Sequence, residues 1–123
     1  MNRSLILIHF LATLVCLASA LRGNDNEGND YTWGTKAATS TLIAQETISK
    51  NKMIFQTTTK TYTLTQAGTT PKTIEYIKIT DLKRMRGATA EITDGGVGAT
   101  TVTVKFTSAK GSGIKSQIEI WGA

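Results

Sequence analysis

The chain has 123 residues and a formal net charge of +5, from 14 lysines and arginines against 9 aspartates and glutamates. This length supports one domain with a modest core. The mild basic excess argues against a nucleic-acid-binding face, which would concentrate many more lysines and arginines. The only cysteine, Cys16, and the only histidine, His9, lie in an N-terminal segment that we expect to be removed. The mature chain would then have no disulfide, no zinc site built from Cys and His, and no histidine base for a hydrolase.

Residues 1–20 have the order of a secretory signal peptide. Arg3 precedes an apolar run at residues 5–17, and the small residues Ala18, Ser19 and Ala20 follow it. The apolar stretch is shorter than the roughly 20 residues that a membrane-spanning helix needs, so an uncleaved anchor is the less favoured alternative. We expect cleavage after Ala20, a secreted, extracellular protein, and no stable membrane anchor in the mature chain.

The rest of the chain divides into a leader and one domain. Residues 21–30 (LRGNDNEGND) are polar, and we expect them to form a flexible leader. Residues 31–123 form the domain, with strands predicted near residues 31–36, 42–48, 53–57, 60–66, 73–80, 88–93, 101–107 and 114–121. Turn signals lie at residues 66–68, 94–96 and 111–113. The glycines at positions 95, 96, 98, 111 and 113 predict hairpin turns. This spacing predicts an all-β fold, a single small antiparallel β-sandwich or barrel of about seven to eight short strands.

Alternation along the later strands predicts which faces are buried. Apolar side chains occupy every second position there and share one face of each strand: Val102, Val104 and Phe106, then Ile114, Ile118 and Ile120. One apolar face on each strand is typical of a sheet covered on one side. The strand at residues 73–80 changes phase, which predicts either a bulge at Tyr76 and Ile77 or cover on both faces.

Three stretches in the second half of the chain carry a family resemblance. They are TIEYIKITD (residues 73–81), the glycine-rich turn DGGVG (residues 94–98) and VTVKFTSAKGSGIKSQIEIWG (residues 102–122). In this order they resemble the C-terminal signature of the insect multiprotein bridging factor two family. That family includes response-to-pathogen proteins and salivary secreted peptides. The resemblance implies a small secreted insect protein that acts by interaction, as an extracellular effector in saliva, venom, gut or haemolymph.

Two other functions stay open at this point. The family name implies a transcriptional co-activator that bridges a DNA-bound factor and the basal machinery. A small-ligand carrier is the third candidate, and it requires an enclosed apolar cavity of several hundred Å3.

Two features are candidates for binding a protein or an acidic polymer. DLKRMRG (residues 81–87) places Lys83, Arg84 and Arg86 close together, with Lys78 nearby. These cations could hold phosphate, sulfate or an acidic partner. The alternative is that the segment is a solvated loop between two strands and binds no partner. Trp121 lies at a polar position of the alternation, so it is either an exposed contact residue or packs against Trp33 of the first strand.

No residue pattern predicts catalysis, a cofactor or a metal site. The glycine clusters lack the Gly-Lys-Ser/Thr sequence of a phosphate-binding loop, and a small sandwich leaves little room for a catalytic pair of carboxylates. We therefore expect a protein that is not an enzyme. The threonine-rich residues 57–70 allow O-glycosylation, a flat threonine array for ice or carbohydrate, or an edge strand prone to association. The interpretation favoured here is one or two strands whose outer face is threonine. If these strands are edges, Lys60 would deter association with another sheet.

Overall fold

A computed structural model describes residues 29–83 and 85–123. The expected signal peptide, most of the expected leader and Arg84 lie outside the described residues. Within the described ranges the chain forms seven strands, which we number in chain order: β1 (Tyr31–Gly34), β2 (Thr41–Lys50), β3 (Thr59–Leu64), β4 (Ile74–Asp81), β5 (Thr89–Gly95), β6 (Val102–Thr107) and β7 (Ile114–Gly122). Seven of the predicted strands are therefore confirmed.

The strands form two antiparallel sheets. The larger sheet has the order β1-β4-β7-β2, and the smaller sheet has the order β3-β6-β5. Most connections cross from one sheet to the other, and β5 and β6 form a hairpin within the smaller sheet. The two sheets face each other across one core, so the protein is a small β-sandwich, as predicted.

The core lies between the two inner faces. Its fully buried side chains come from alternate positions of β4, β6 and β7, and they are Ile74, Ile77, Ile79, Val102, Val104, Phe106, Ile118 and Ile120. The intervening residues face outward, and on β3 and β6 many of them are threonines, such as the facing pair Thr63 and Thr103. The prediction of a threonine-rich outer strand face is therefore confirmed.

A bulge in β4 explains the change of phase in its sequence. The register of β4 against β7 shifts between Ile74 and Tyr76, just before the predicted position. The extra residue, Glu75, lets Ile74 face the core together with Ile77 and Ile79. Its carboxylate accepts a hydrogen bond of 2.5 Å from the Ser40 hydroxyl.

One predicted strand and one predicted hairpin were wrong. Residues 53–57 are not a strand: the N–H of Gln56 donates to the carbonyl of Met53 (3.1 Å) and closes a turn in which Phe55 has a φ of 62°. The Gly111–Gly113 stretch does not form a hairpin, because β6 and β7 belong to different sheets. The alternation of apolar and polar residues does not show which sheet a strand joins. A connection between the two sheets and a hairpin within one sheet therefore look alike in the sequence.

The open sides of the sandwich are closed by side chains. On one side, Lys60 of β3 donates to the carbonyl of Ser49 (3.2 Å), and Lys50 of β2 donates to that of Thr59 (3.1 Å). These bonds join the edge strands of the two sheets, so Lys60 does lie on an edge strand. On the other side, the rings of Tyr31 and Trp33 stack with their centroids 5.6 Å apart.

Candidate functional site: a lysine-lined cleft at the loop end

Three loops meet at one end of the sandwich because β2, β4 and β6 all finish there. The loops comprise residues 51–58, 82–88 and 108–113, and we call this region the loop end. The N–H of Gly111 donates to the carbonyl of Gln56 (2.8 Å), and the Ser112 hydroxyl donates to the carbonyl of Arg86 (3.1 Å). The Arg86 guanidinium in turn donates to the carbonyl of Lys110. The loop at residues 108–113 thus holds the other two loops together.

An open cleft of about 360 Å3 lies between these loops. It is lined by the ends of β2 and β7, by Asn51, Leu82 and Gly113, and by four lysines: Lys50, Lys52, Lys83 and Lys115. The backbone fixes the walls, since the N–H of Leu82 donates to the carbonyl of Lys115 (2.8 Å). The ammonium of Lys50 is bonded to the carbonyl of Thr59. Lys52, Lys83 and Lys115 are therefore the lysines that give the cleft a positive potential, which favours anionic ligands.

The carboxylates near the cleft are engaged with the backbone. Asp81 is fully buried, and its two oxygens accept hydrogen bonds from the N–H groups of Asn29 and Lys83 (both 2.9 Å). Asp30 accepts a bond from the N–H of Asp81 (2.8 Å). These carboxylates therefore serve to order the chain beside the cleft. They also fasten Asn29 and Asp30, the last two residues of the expected leader, to the domain.

Burial affects two tyrosines in the sandwich. It raises the pKa of Tyr31; a hydrogen bond with the backbone of Ala90 is the next-largest effect and lowers that pKa, and the charge of Asp81 adds a smaller increase. Burial likewise raises the pKa of Tyr62, with a contribution from the charge of Glu46. Both phenols therefore stay neutral at physiological pH.

An exposed apolar turn stands beside the cleft. Met53, Ile54 and Phe55, which we call the apolar tip, directly follow Lys52, and Ile54 and Phe55 are 70% and 81% exposed. Met85, in the neighbouring loop, is also exposed. The φ of 62° places Phe55 in the left-handed region, where glycine is the usual residue of such a turn. The loop end thus combines a cationic cleft with apolar side chains in contact with solvent.

The residues predicted as binding sites separate into two groups. Lys83 and Arg86 lie at the loop end, whereas Lys78 and Trp121 lie on the outer face of the larger sheet, and Arg84 lies outside the described residues. The predicted loop between two strands is confirmed for the stretch at residues 82–88. The single cluster of cations suggested by the sequence is therefore divided, because β4 carries Lys78 away from the loop.

Trp121 does not pack against Trp33. Register pairs Trp33 with Ile77 and Ile77 with Ile120, so Trp33 faces inward and Trp121, the neighbour of Ile120, faces outward. The indole of Trp121 donates to a carboxylate oxygen of Glu119 (3.2 Å). The ammonium of Lys36 lies 3.6 Å from the centroid of the Trp121 ring, in a cation–π contact.

Sequence reasoning missed most of the cleft. Lys50, Lys52 and Lys115 come from distant parts of the chain and were not recognised as partners of Lys83. A signal was available in KNKMIF (residues 50–55), where two lysines directly precede three apolar residues and no strand alternation follows. A run of this kind is typical of an exposed loop that contacts another surface.

The described part of the chain contains no cluster of three or more His, Cys, Asp or Glu side chains that could hold a metal ion. No helix in the same residues has the length and apolar character needed to cross a bilayer.

Fold and site together define a small antiparallel β-sandwich with a lysine-lined cleft in the loops at one end. The family model described as "Transcription activator MBF2" matches residues 33–122, a range that runs from β1 through β7 and contains the whole cleft. The chain belongs to the MBF2 family, as its motifs predicted. Comparison with curated proteins gives no match, and comparison with solved structures gives none.

Proposed function

We propose that the protein is a secreted, non-enzymatic interaction protein that holds an anionic partner at its loop end. The observation that carries this proposal is the convergence of Lys52, Lys83 and Lys115 on one open cleft, which Lys50 also lines. Each lysine near a polyanion releases counterions, so binding through the cleft would weaken as salt is added. The nearby carboxylates of Asp30 and Asp81 accept hydrogen bonds from backbone N–H groups.

Secretion is supported by residues 1–20, where a charged residue, an apolar run and small residues follow one another. A role without catalysis is supported by the way the carboxylates are used. Asp30 and Asp81 order the backbone, Glu75 accepts a bond from Ser40, and Glu119 accepts one from Trp121. These four carboxylates already have hydrogen-bond partners within the fold.

Retention on heparin tests the cleft, with heparin as the polyanionic probe. We expect the triple variant Lys52→Ala/Lys83→Ala/Lys115→Ala to elute at much lower salt than the wild type while keeping the same circular dichroism spectrum. The matched control is Lys36→Ala/Lys72→Ala/Lys78→Ala, which also removes three cations but away from the cleft and should elute close to the wild type. Equal losses in both variants would mean that binding follows net charge and would refute the role of the cleft.

Transcriptional co-activation is the second candidate, and the family description favours it. The two candidates differ in where the protein is found and in where its chain begins. Mass spectrometry of secretions and of nuclei from the same tissue separates them. A chain that begins at Leu21 in the secretion supports the first, and a chain that begins at Met1 in nuclei supports the second.

A ligand carrier has less support. The 360 Å3 cleft is open to solvent and lined by lysines, whereas a carrier of apolar molecules needs an enclosed apolar wall.

A further inference from the structure

The apolar tip is placed where a turn normally carries polar residues. Ile54 and Phe55 occupy the two central positions of the turn closed by Met53 and Gln56, positions that favour Gly, Pro, Asn, Asp and Ser. Both side chains are largely exposed and contribute nothing to the core. Phe55 also has a left-handed backbone conformation that residues other than glycine rarely adopt. The fold itself gives no reason for these residues, and such a combination of strain and exposure is typical of a contact site.

The tip and the cations lie on the same end of the molecule. Lys50 and Lys52 precede the tip in the chain, and the cleft that they line adjoins it. Arg86 lies on the same end, and its guanidinium group bonds the backbone of Lys110. Met85 adds a second exposed apolar side chain from the neighbouring loop. The loop end therefore presents exposed apolar side chains beside a cluster of cations.

We propose that the loop end docks reversibly on an anionic lipid surface. Ile54 and Phe55 enter the interfacial layer, while the lysines of the cleft contact the phosphate and carboxylate groups of the lipid headgroups. This inference rests on the proposed function, because it names the anionic partner of the same cleft. Lysines around apolar and aromatic side chains are the composition of peripheral membrane-binding surfaces.

A lipid surface fits this composition better than a protein or a nucleic acid. Lysine is depleted in protein–protein interfaces, whereas it makes up most of the charge around this tip. Nucleic-acid binders that use exposed apolar groups stack aromatic rings on bases. Here the tip contains one ring beside the aliphatic side chains of Ile54 and Met53. Headgroups and acyl chains offer both kinds of contact at once.

The expected effects are large enough to measure. Each lysine close to an anionic surface contributes about fivefold to partitioning. Removing the Phe55 side chain should weaken binding about tenfold or more, because a buried aromatic ring accounts for at least that much.

The experiment is co-sedimentation with large vesicles. The protein is expressed from the full sequence in secreting insect cells and purified from the medium. The vesicles contain phosphatidylcholine alone or phosphatidylcholine with about a third phosphatidylserine, a composition with the negative surface that lysines recognise. The tip variant is Ile54→Ser/Phe55→Gly, in which glycine suits the left-handed backbone at residue 55. Its matched control is Val97→Ser, which changes an exposed apolar residue in the loop between β5 and β6, at the opposite end.

We expect the wild type and Val97→Ser to sediment with the anionic vesicles and not with vesicles of phosphatidylcholine alone. The tip variant should lose most vesicle binding and still be retained on heparin. In a second measurement, the emission of Phe55→Trp should shift to the blue with anionic vesicles, and that of Val97→Trp should not.

Failure of this inference is distinguishable from failure of the proposed function. Retention on heparin without vesicle binding overturns the lipid assignment and leaves the polyanion-binding function in place. Vesicle binding by the tip variant at wild-type strength also overturns docking through the tip. Preferential binding of duplex DNA or of an acidic protein, with no binding to vesicles, would replace the lipid by that partner. Equal loss of heparin retention in the cleft and control variants overturns the proposed function itself.

Discussion

Phe106 lies at the centre of the core and offers a direct test of how the sandwich is packed. Its side chain is fully buried, between Lys60 on one neighbouring strand and Ala90 on the other. Phe106→Ala should lower the free energy of unfolding by about 3–5 kcal/mol, because the ring's contacts are lost and a cavity remains. For a domain of this size each kcal/mol corresponds to roughly 4–8 °C in Tm. The expected fall is therefore at least about 12 °C, measured by thermal unfolding followed by circular dichroism.

The matched control makes the same chemical change in an exposed phenylalanine. Phe55→Ala removes a ring that is 81% exposed, and it leaves the backbone strain at residue 55 unchanged. Its effect on stability should stay within about 0.5 kcal/mol, as for other surface substitutions. If the two variants melted at similar temperatures, Phe106 would not be a core residue and the assignment of inner faces would be wrong.

Two further predictions concern the backbone and pH. Gly34→Ala should lower the free energy of unfolding by more than about 1 kcal/mol, because the new Cβ would lie 2.2 Å from the carbonyl oxygen of Glu75 and φ is +79°. Gly68 has a φ of +98° with no atom within 4 Å of a new Cβ, so Gly68→Ala should lower the free energy of unfolding by less, measured in the same thermal melts. The pKa of Tyr31 is raised above its ordinary value of 10.0, so the folded chain holds the phenol proton more tightly than the unfolded chain, and stability should fall as the pH rises past 10. Tyr31→Phe should reduce that fall, measured by urea unfolding at pH 8 and pH 11, and an unchanged fall would assign it to other groups.

Much of the fold could be predicted because burial imposes a period of two on the strands. Val102, Val104 and Phe106 alternate with polar residues, and their faces follow directly from the spacing. The bulge at Glu75 was also detectable, because an extra residue must change the phase of the apolar positions. Features that depend on which strands are neighbours were not accessible in this way. The crossing at residues 108–113 is one example, since its glycines resemble those of a hairpin.

The apolar tip shows why a short apolar run is ambiguous. Residues 53–57 contain three large apolar side chains, and such a run is as compatible with a buried strand as with an exposed turn. What decides the outcome is the register of β2 against β7, which ends at Lys50 opposite Ile114. Beyond that point the chain has no neighbouring strand in the larger sheet, and it must turn to reach β3. Tertiary pairing, not local sequence, therefore exposes Ile54 and Phe55.

The cleft was hidden for a related reason. Lys50 and Lys115 are 65 positions apart in the chain, and both line the cleft because β2 ends where its neighbour β7 begins. Lys83 joins them because β4 pairs with the other side of β7 and also ends there. Strand order thus converts scattered lysines into one surface, while it places Lys78, a near neighbour of Lys83 in sequence, on the face of the sheet. In this fold the strands that finish at a common end determine the chemistry of that end, so sequence proximity is a poor guide to the binding surface.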